Sequence, residues 1–140
     1  MSDLDDLYQE VILDHSRKPQ NFFKMADADR FADGANPLCG DQITVYLKMN
    51  GDRIQETSFL VNGCAISKAS ASMMTAALKG KTRTEAEELF QNFHKMVTGT
   101  ADSSVKPESL GKLAAFSGVS DYPVRVKCAS LAWHTFRAAL

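Results

Sequence analysis

Apolar side chains recur near the start of the chain as Leu4, Leu7, Tyr8, Val11 and Ile12. The spacing i, i+3, i+4, i+7, i+8 lays them along one stripe of a helix over residues 3–17. Ser2 or Asp3 can cap its start, acidic residues fill its first turn, and His15, Arg17 and Lys18 sit near its end, each favoured there by the helix dipole. Pro19 stops it. Residues 18–35 show no period and carry turn formers, so they read as irregular chain, pinned to the core by Phe22, Phe23 and Phe31. Strict alternation then begins: Ile43, Val45, Leu47 and Met49 against Thr44, Tyr46 and Lys48. It predicts a strand over 41–49, with a second over 53–61 and a hairpin turn at Asn50-Gly51.

Beyond the hairpin the period returns to that of helices. Residues 65–79 are rich in small side chains that allow close packing on a sheet; the serines read as helix surface and Met73-Met74 as core. Thr82 and Glu85 fit a capping box for a helix over 83–97, buried through Leu89, Phe93, Met96 and Val97, with His94 on its surface. Residues 98–106 read as a polar loop, and Pro107 opens a short helix to about Phe116, broken by Gly118. A last helix runs to Leu140, with Cys128 near its start, Leu131, Ala132, Phe136 and Ala139 packing inward, Trp133 to the side and His134 structural.

With 140 residues and no linker or repeat, the chain reads as one domain, residues 1–140. It can bury about two-thirds of its unfolded surface and needs no disulfide to fold. The net charge of −1 supplies no basic field for nucleic acid. No apolar run has the length of a membrane span. The acidic N-terminus argues against a targeting peptide and for the cytoplasm.

Three cysteines cannot all pair. They are either small buried hydrophobes or metal ligands. Their contexts favour the second reading. Cys39 and Asp41 flank Gly40 at the entrance to the first strand, and Cys64 follows the second strand. An antiparallel hairpin carries these points to one end of the sheet. Cys64 also opens a helix, where unsatisfied N–H groups favour a thiolate. Arg125 and Lys127 flank Cys128 with positive charge, which lowers a thiol pKa from about 8.5. Three sulfurs and one carboxylate suit tetrahedral zinc.

Leu38-Cys39-Gly40-Asp41, Gly63-Cys64-Ala65-Ile66-Ser67 and the run Arg125-Val126-Lys127-Cys128-Ala129-Ser130-Leu131-Ala132-Trp133 resemble the three cysteine motifs of U-type iron–sulfur assembly proteins. Asp14-His15 and Pro19-Gln20-Asn21 resemble that family's first helix and following turn. The resemblance spans nearly the whole chain and is closer to the SufU branch than to IscU. Lys127 stands where IscU proteins carry a histidine, and the interval from Cys64 to Cys128 is longer.

The fold this implies is α+β, a small antiparallel sheet of about three strands with helices packed against it. Its third strand must come from before Cys39, where periodicity gives only irregular chain. The resemblance further implies that Cys39, Asp41, Cys64 and Cys128 bind zinc and that Cys39 takes persulfide sulfur from a cysteine desulfurase. Downstream iron–sulfur assembly proteins would be further partners. Asp41, the harder ligand, would tune the lability of the site. The alternative is a scaffold for a labile iron–sulfur cluster on the same residues. A structural zinc module is disfavoured by an aspartate ligand beside a loop cysteine. A cysteine hydrolase is disfavoured because no histidine lies near a cysteine in the sequence.

Overall fold

The computed structural model describes residues 3–37, 40–100 and 110–140, and of residues 3–7 the backbone alone. The expected roles of Leu4 and Leu7, the loop over 101–106 and Pro107 lie outside it. Helix α1 (Asp3–Arg17) leads into a three-stranded antiparallel sheet, β1 (Arg30–Asn36), β2 (Asp41–Asn50) and β3 (Arg53–Asn62), in the order β1-β2-β3. Then come α2 (Ala65–Leu78), α3 (Arg83–Thr98), a run of 3-10 turns (Gly111–Asp121) and α4 (Pro123–Ala139). The class is α+β, as the resemblance implied.

The hairpin forms with Ile43, Val45 and Leu47 buried on one face. Its tight turn is one residue later than expected: Asn50 pairs with Arg53, so Gly51 and Asp52 make the loop, and Gly51 takes the positive φ of 61°. The capping box at Thr82 and Glu85 is present in both directions.

The irregular reading of residues 18–35 is overturned from Arg30 onward. β1 pairs along β2 from Arg30 with Leu47 to Asn36 with Asp41. Its alternation is hidden because the positions facing α4 include Gly34, where nothing larger fits. A Cβ there would lie 2.0 Å from Thr135 Oγ1 and 3.3 Å from Leu131 Cδ1. Thr135 is itself buried, its hydroxyl donating to the Leu131 carbonyl at 2.8 Å. Gly34→Ala is therefore expected to destabilise the fold by roughly 2–3 kcal/mol through overpacking. Urea denaturation would read this as a lower midpoint at unchanged slope.

Three further expectations are corrected. Phe31 is 65% exposed on the open face of the sheet, and Phe22 and Phe23 are exposed as well; of the three only Phe22 touches a core ring, edge-on to Phe59 at 5.3 Å. Trp133 lies in the core, stacked on Phe93 at 4.5 Å. The short helix does not break at Gly118, since its 3-10 turns continue to Asp121.

The core lies between the inner face of the sheet and α2, α3 and α4. Met73 and Met74 belong to it, as expected. The serines of α2 do not form a surface: Ser67, Ser70 and Ser72 are all buried. Ser70 donates to the Ala129 carbonyl on α4 at 2.6 Å. Ser72 Oγ accepts the Gln20 N–H at 2.8 Å and lies 2.7 Å from His15 Nδ1. His15 therefore ties the end of α1 to α2. Small hydroxyl side chains let helices approach closely while satisfying backbone groups that a wholly apolar seam would strand.

Candidate metal centre

Hairpin pairing decides where the first two described ligands meet. Gln42 pairs with Asn62, so Asp41 and the Gly63-Cys64 turn lie side by side at one end of the sheet. Gly63 allows the close approach. A Cβ on it would fall 2.3 Å from Asp41 Oδ1 and 2.8 Å from its carboxyl carbon. The absent side chain leaves room for the carboxylate against the backbone, where Oδ1 accepts the Cys64 N–H at 2.8 Å.

Cys64 is the N-cap of α2, in extended conformation. Its sulfur accepts the Ser67 N–H at 3.4 Å, one of the N–H groups that the first helical turn leaves without an internal partner. Ser67, three residues into the helix, folds back over the same turn. Its hydroxyl donates to Asp41 Oδ2 at 2.7 Å, with the Cys128 carbonyl oxygen 3.2 Å away. One serine thus bridges the segments that carry Asp41 and Cys128.

Cys128 lies near the start of its helix, as expected. α4 begins at Pro123, so Cys128 lies in its second turn, buried. Of the two flanking cations, Arg125 stacks over the Tyr122 ring at 4.4 Å, and Lys127 is exposed.

Three of the four expected ligands converge. One carboxylate oxygen of Asp41, Cys64 Sγ and Cys128 Sγ all lie within 4.8 Å of one another. Asp41 and Cys128 are buried, and Cys64 is half-buried, so the cluster has one open side. Cys39 lies outside the described residues.

The donor set fits zinc. Bond lengths of about 2.0 Å to oxygen and 2.3 Å to sulfur at a tetrahedral centre put neighbouring O and S ligands about 3.5 Å apart. Cys64 Sγ and Asp41 Oδ2 are separated by 3.6 Å. Asp41 Oδ1 accepts from the Cys64 N–H and Oδ2 from the Ser67 hydroxyl and the Cys64 thiol; loss of the thiol proton on metal binding frees acceptor capacity on Oδ2 for an ion. Three protein ligands with one side open leave a fourth position to be filled.

Ser67 and Gly63 are the functional positions that pattern reading passed over. A signal for Ser67 was present: the side chain at N3 of a helix reaches back to the N-cap. Ser67→Ala would leave Asp41 without its strongest orienting donor. Metal affinity is expected to fall roughly 10- to 100-fold, the usual effect of losing such a partner. Competition with a chromophoric chelator would measure it.

This constellation on a three-stranded α+β core defines a class, and comparison with known proteins agrees. The chain belongs to the NifU-like N-terminal domain family, which matches residues 7–129. It is 42% identical over 133 residues to the zinc-dependent sulfurtransferase SufU of Bacillus subtilis, covering 94% of this chain and 88% of that one. It is 39% identical over 140 residues to the iron–sulfur cluster assembly scaffold protein IscU of Streptococcus pyogenes, covering 100% and 86%. A crystal structure of a putative SUF-system iron–sulfur cluster assembly scaffold protein from Fervidobacterium islandicum superposes with a TM-score of 0.87 at 37% identity, covering 93% of each chain. Among the described residues no helix is long and apolar enough to cross a membrane.

Proposed function

We propose that this protein is a zinc-dependent sulfur acceptor. It takes persulfide sulfur from a cysteine desulfurase and delivers it to iron–sulfur cluster assembly. The observation that carries the reading is the convergence of Asp41, Cys64 and Cys128 within 4.8 Å, with zinc-compatible separations and one open side. The SufU relative, named a zinc-dependent sulfurtransferase, supports the same activity.

In this reading Cys39, Asp41, Cys64 and Cys128 hold the ion and Cys39 is the acceptor. Bound zinc would keep the cysteine sulfurs as thiolates near neutral pH and allow one ligand to exchange without redox change. Asp41, Cys64 and Cys128 are anchored by Ser67, by backbone N–H groups and by burial. Cys39, which falls between β1 and β2 in the sequence, is the ligand that can leave. Its thiolate attacks the terminal sulfur of the desulfurase persulfide. A new S–S bond forms on Cys39, the partner's S–S bond breaks, and the partner cysteine departs as a thiolate.

A second reading, a scaffold carrying a labile iron–sulfur cluster, is supported by the relatives named as scaffolds. Desulfurase turnover with and without this protein, with metal analysis of the same preparation, separates the two. The expected result is stimulation by colourless protein containing one zinc per chain. Stoichiometric iron with visible absorbance and no stimulation would favour the scaffold.

A further inference from the structure

Asparagine followed by glycine occurs twice in the chain, at Asn50-Gly51 and at Asn62-Gly63. In such a pair the glycine amide nitrogen can close on the asparagine side-chain carbonyl. No Cβ obstructs the approach, and glycine reaches backbone conformations that other residues resist. All four residues are exposed. The pairs lie at opposite ends of the β2–β3 hairpin. Asn50 pairs with Arg53 at the turn, and Asn62 pairs with Gln42, next to Asp41.

At Asn62 both reacting groups are unengaged. Neither its carboxamide nor the Gly63 N–H has a hydrogen-bond partner among the described residues. Asn62 is the last residue of β3, and Gly63 lies beyond the ladder. Strand ends open at far lower cost than strand interiors, so the bend that ring closure needs requires only local fraying. The same two residues abut the metal centre. The Gly63 backbone lies against the Asp41 carboxylate, and the next N–H, that of Cys64, donates to Asp41 Oδ1 at 2.8 Å. An ion held by Asp41 and Cys64 therefore clamps together the two strand ends whose parting exposes Asn62 to attack.

We propose that Asn62 is a site of spontaneous deamidation and that metal binding holds the reaction back. Hydroxide takes the Gly63 amide proton, and the nitrogen attacks the Asn62 side-chain carbonyl carbon. A C–N bond forms there, the bond to the side-chain nitrogen breaks, and ammonia leaves with a proton from water. The product is a cyclic imide. Water cleaves it at the former side-chain carbonyl to give aspartate, or at the main-chain carbonyl to give isoaspartate. Water is the only co-reactant, and no atom is oxidised or reduced.

The two products differ in consequence. Aspartate leaves the main chain as it was. Isoaspartate lengthens it by a methylene just before Gly63 and shifts Gly63 and Cys64 relative to Asp41. A chain that stays without its ion then loses the geometry needed to bind one. Asn50 supplies an internal control, since it offers the same dipeptide at the far end of the hairpin. The inference rests on the reading of Asp41 and Cys64 as metal ligands.

The test incubates the full chain in mildly alkaline buffer, zinc-loaded and chelator-stripped in parallel. Peptide mass spectrometry follows both asparagines, and enzymatic isoaspartyl methylation identifies isoaspartate. The stripped chain is expected to convert at Asn62, faster as pH rises. Zinc is expected to slow Asn62 roughly tenfold or more and to leave Asn50 unchanged. Isoaspartate-containing chains, isolated by ion exchange, are expected to bind zinc roughly 10- to 100-fold more weakly. Asn62→Gln is expected to resist conversion and keep its zinc. An Asn62 that stays intact in the stripped chain, or equal acceleration of Asn50 and Asn62 on stripping, would overturn the proposal. Metal analysis of the loaded sample keeps the two readings apart. Full zinc occupancy with an unchanged Asn62 rate overturns this inference alone, whereas absence of bound zinc overturns the metal-centre reading with it.

Discussion

Cys39→Ala is expected to bring desulfurase turnover down to its unstimulated rate and to abolish transfer of sulfur to this chain, while the fold and most of the metal site persist. The asymmetry follows from how the ligands are held. Asp41 is fixed by the Cys64 N–H and the Ser67 hydroxyl, Cys64 by its helix cap, and Cys128 by burial in α4. None of these supports depends on Cys39. Water can take the vacated position, as it does in three-ligand zinc sites, so zinc is retained at reduced affinity. In the proposed transfer Cys39 has no such substitute as nucleophile, because an alanine methyl cannot form the S–S bond. Mass spectrometry of the chain after incubation with persulfidated desulfurase, with zinc analysis of the same sample, checks both halves. Sulfur uptake equal to wild type would move the acceptor role elsewhere.

Gly63→Ala is expected to lower metal affinity by roughly 100-fold or more, beyond the usual effect of disturbing one orienting partner. The added Cβ would fall 2.3 Å from Asp41 Oδ1 and 2.8 Å from its carboxyl carbon. No rotation of the methyl relieves such an overlap. The carboxylate must swing away, which gives up its bonds to Cys64 and Ser67 together with its place in the ligand set. Global stability is expected to change less, because Gly63 lies in the turn between β3 and α2, outside the core cluster. Chelator competition and thermal unfolding on one preparation separate the two effects. A variant that binds zinc like wild type would show that Asp41 is not a ligand.

The two predictions differ in what made them visible. Cys39 stands out in the sequence, because a thiol two residues from a carboxylate gains weight as a metal ligand once Cys64 and Cys128 also fall at element boundaries. Gly63 looked like one more turn residue beside Asn62. Its importance lies in the space it leaves for a side chain 22 positions earlier, and no local pattern encodes that.

The amino-acid order by itself determined the β2–β3 hairpin, the helix caps at Cys64 and Thr82, and the meeting of Asp41 with Cys64 at one sheet end. These rest on alternation, capping chemistry and antiparallel pairing, all of which act between near neighbours or across one tight turn. The α+β class and the family also followed, from the cysteine motifs. Tertiary structure alone decided that Arg30–Asn36 is a strand. Its face toward α4 includes a glycine held against Thr135, so periodicity found no apolar stripe there. It also decided that the serines of α2 are internal and that Ser67 joins Asp41 to the Cys128 backbone. A small polar residue reads the same in water as in a helix seam until the partner 61 positions away comes into view.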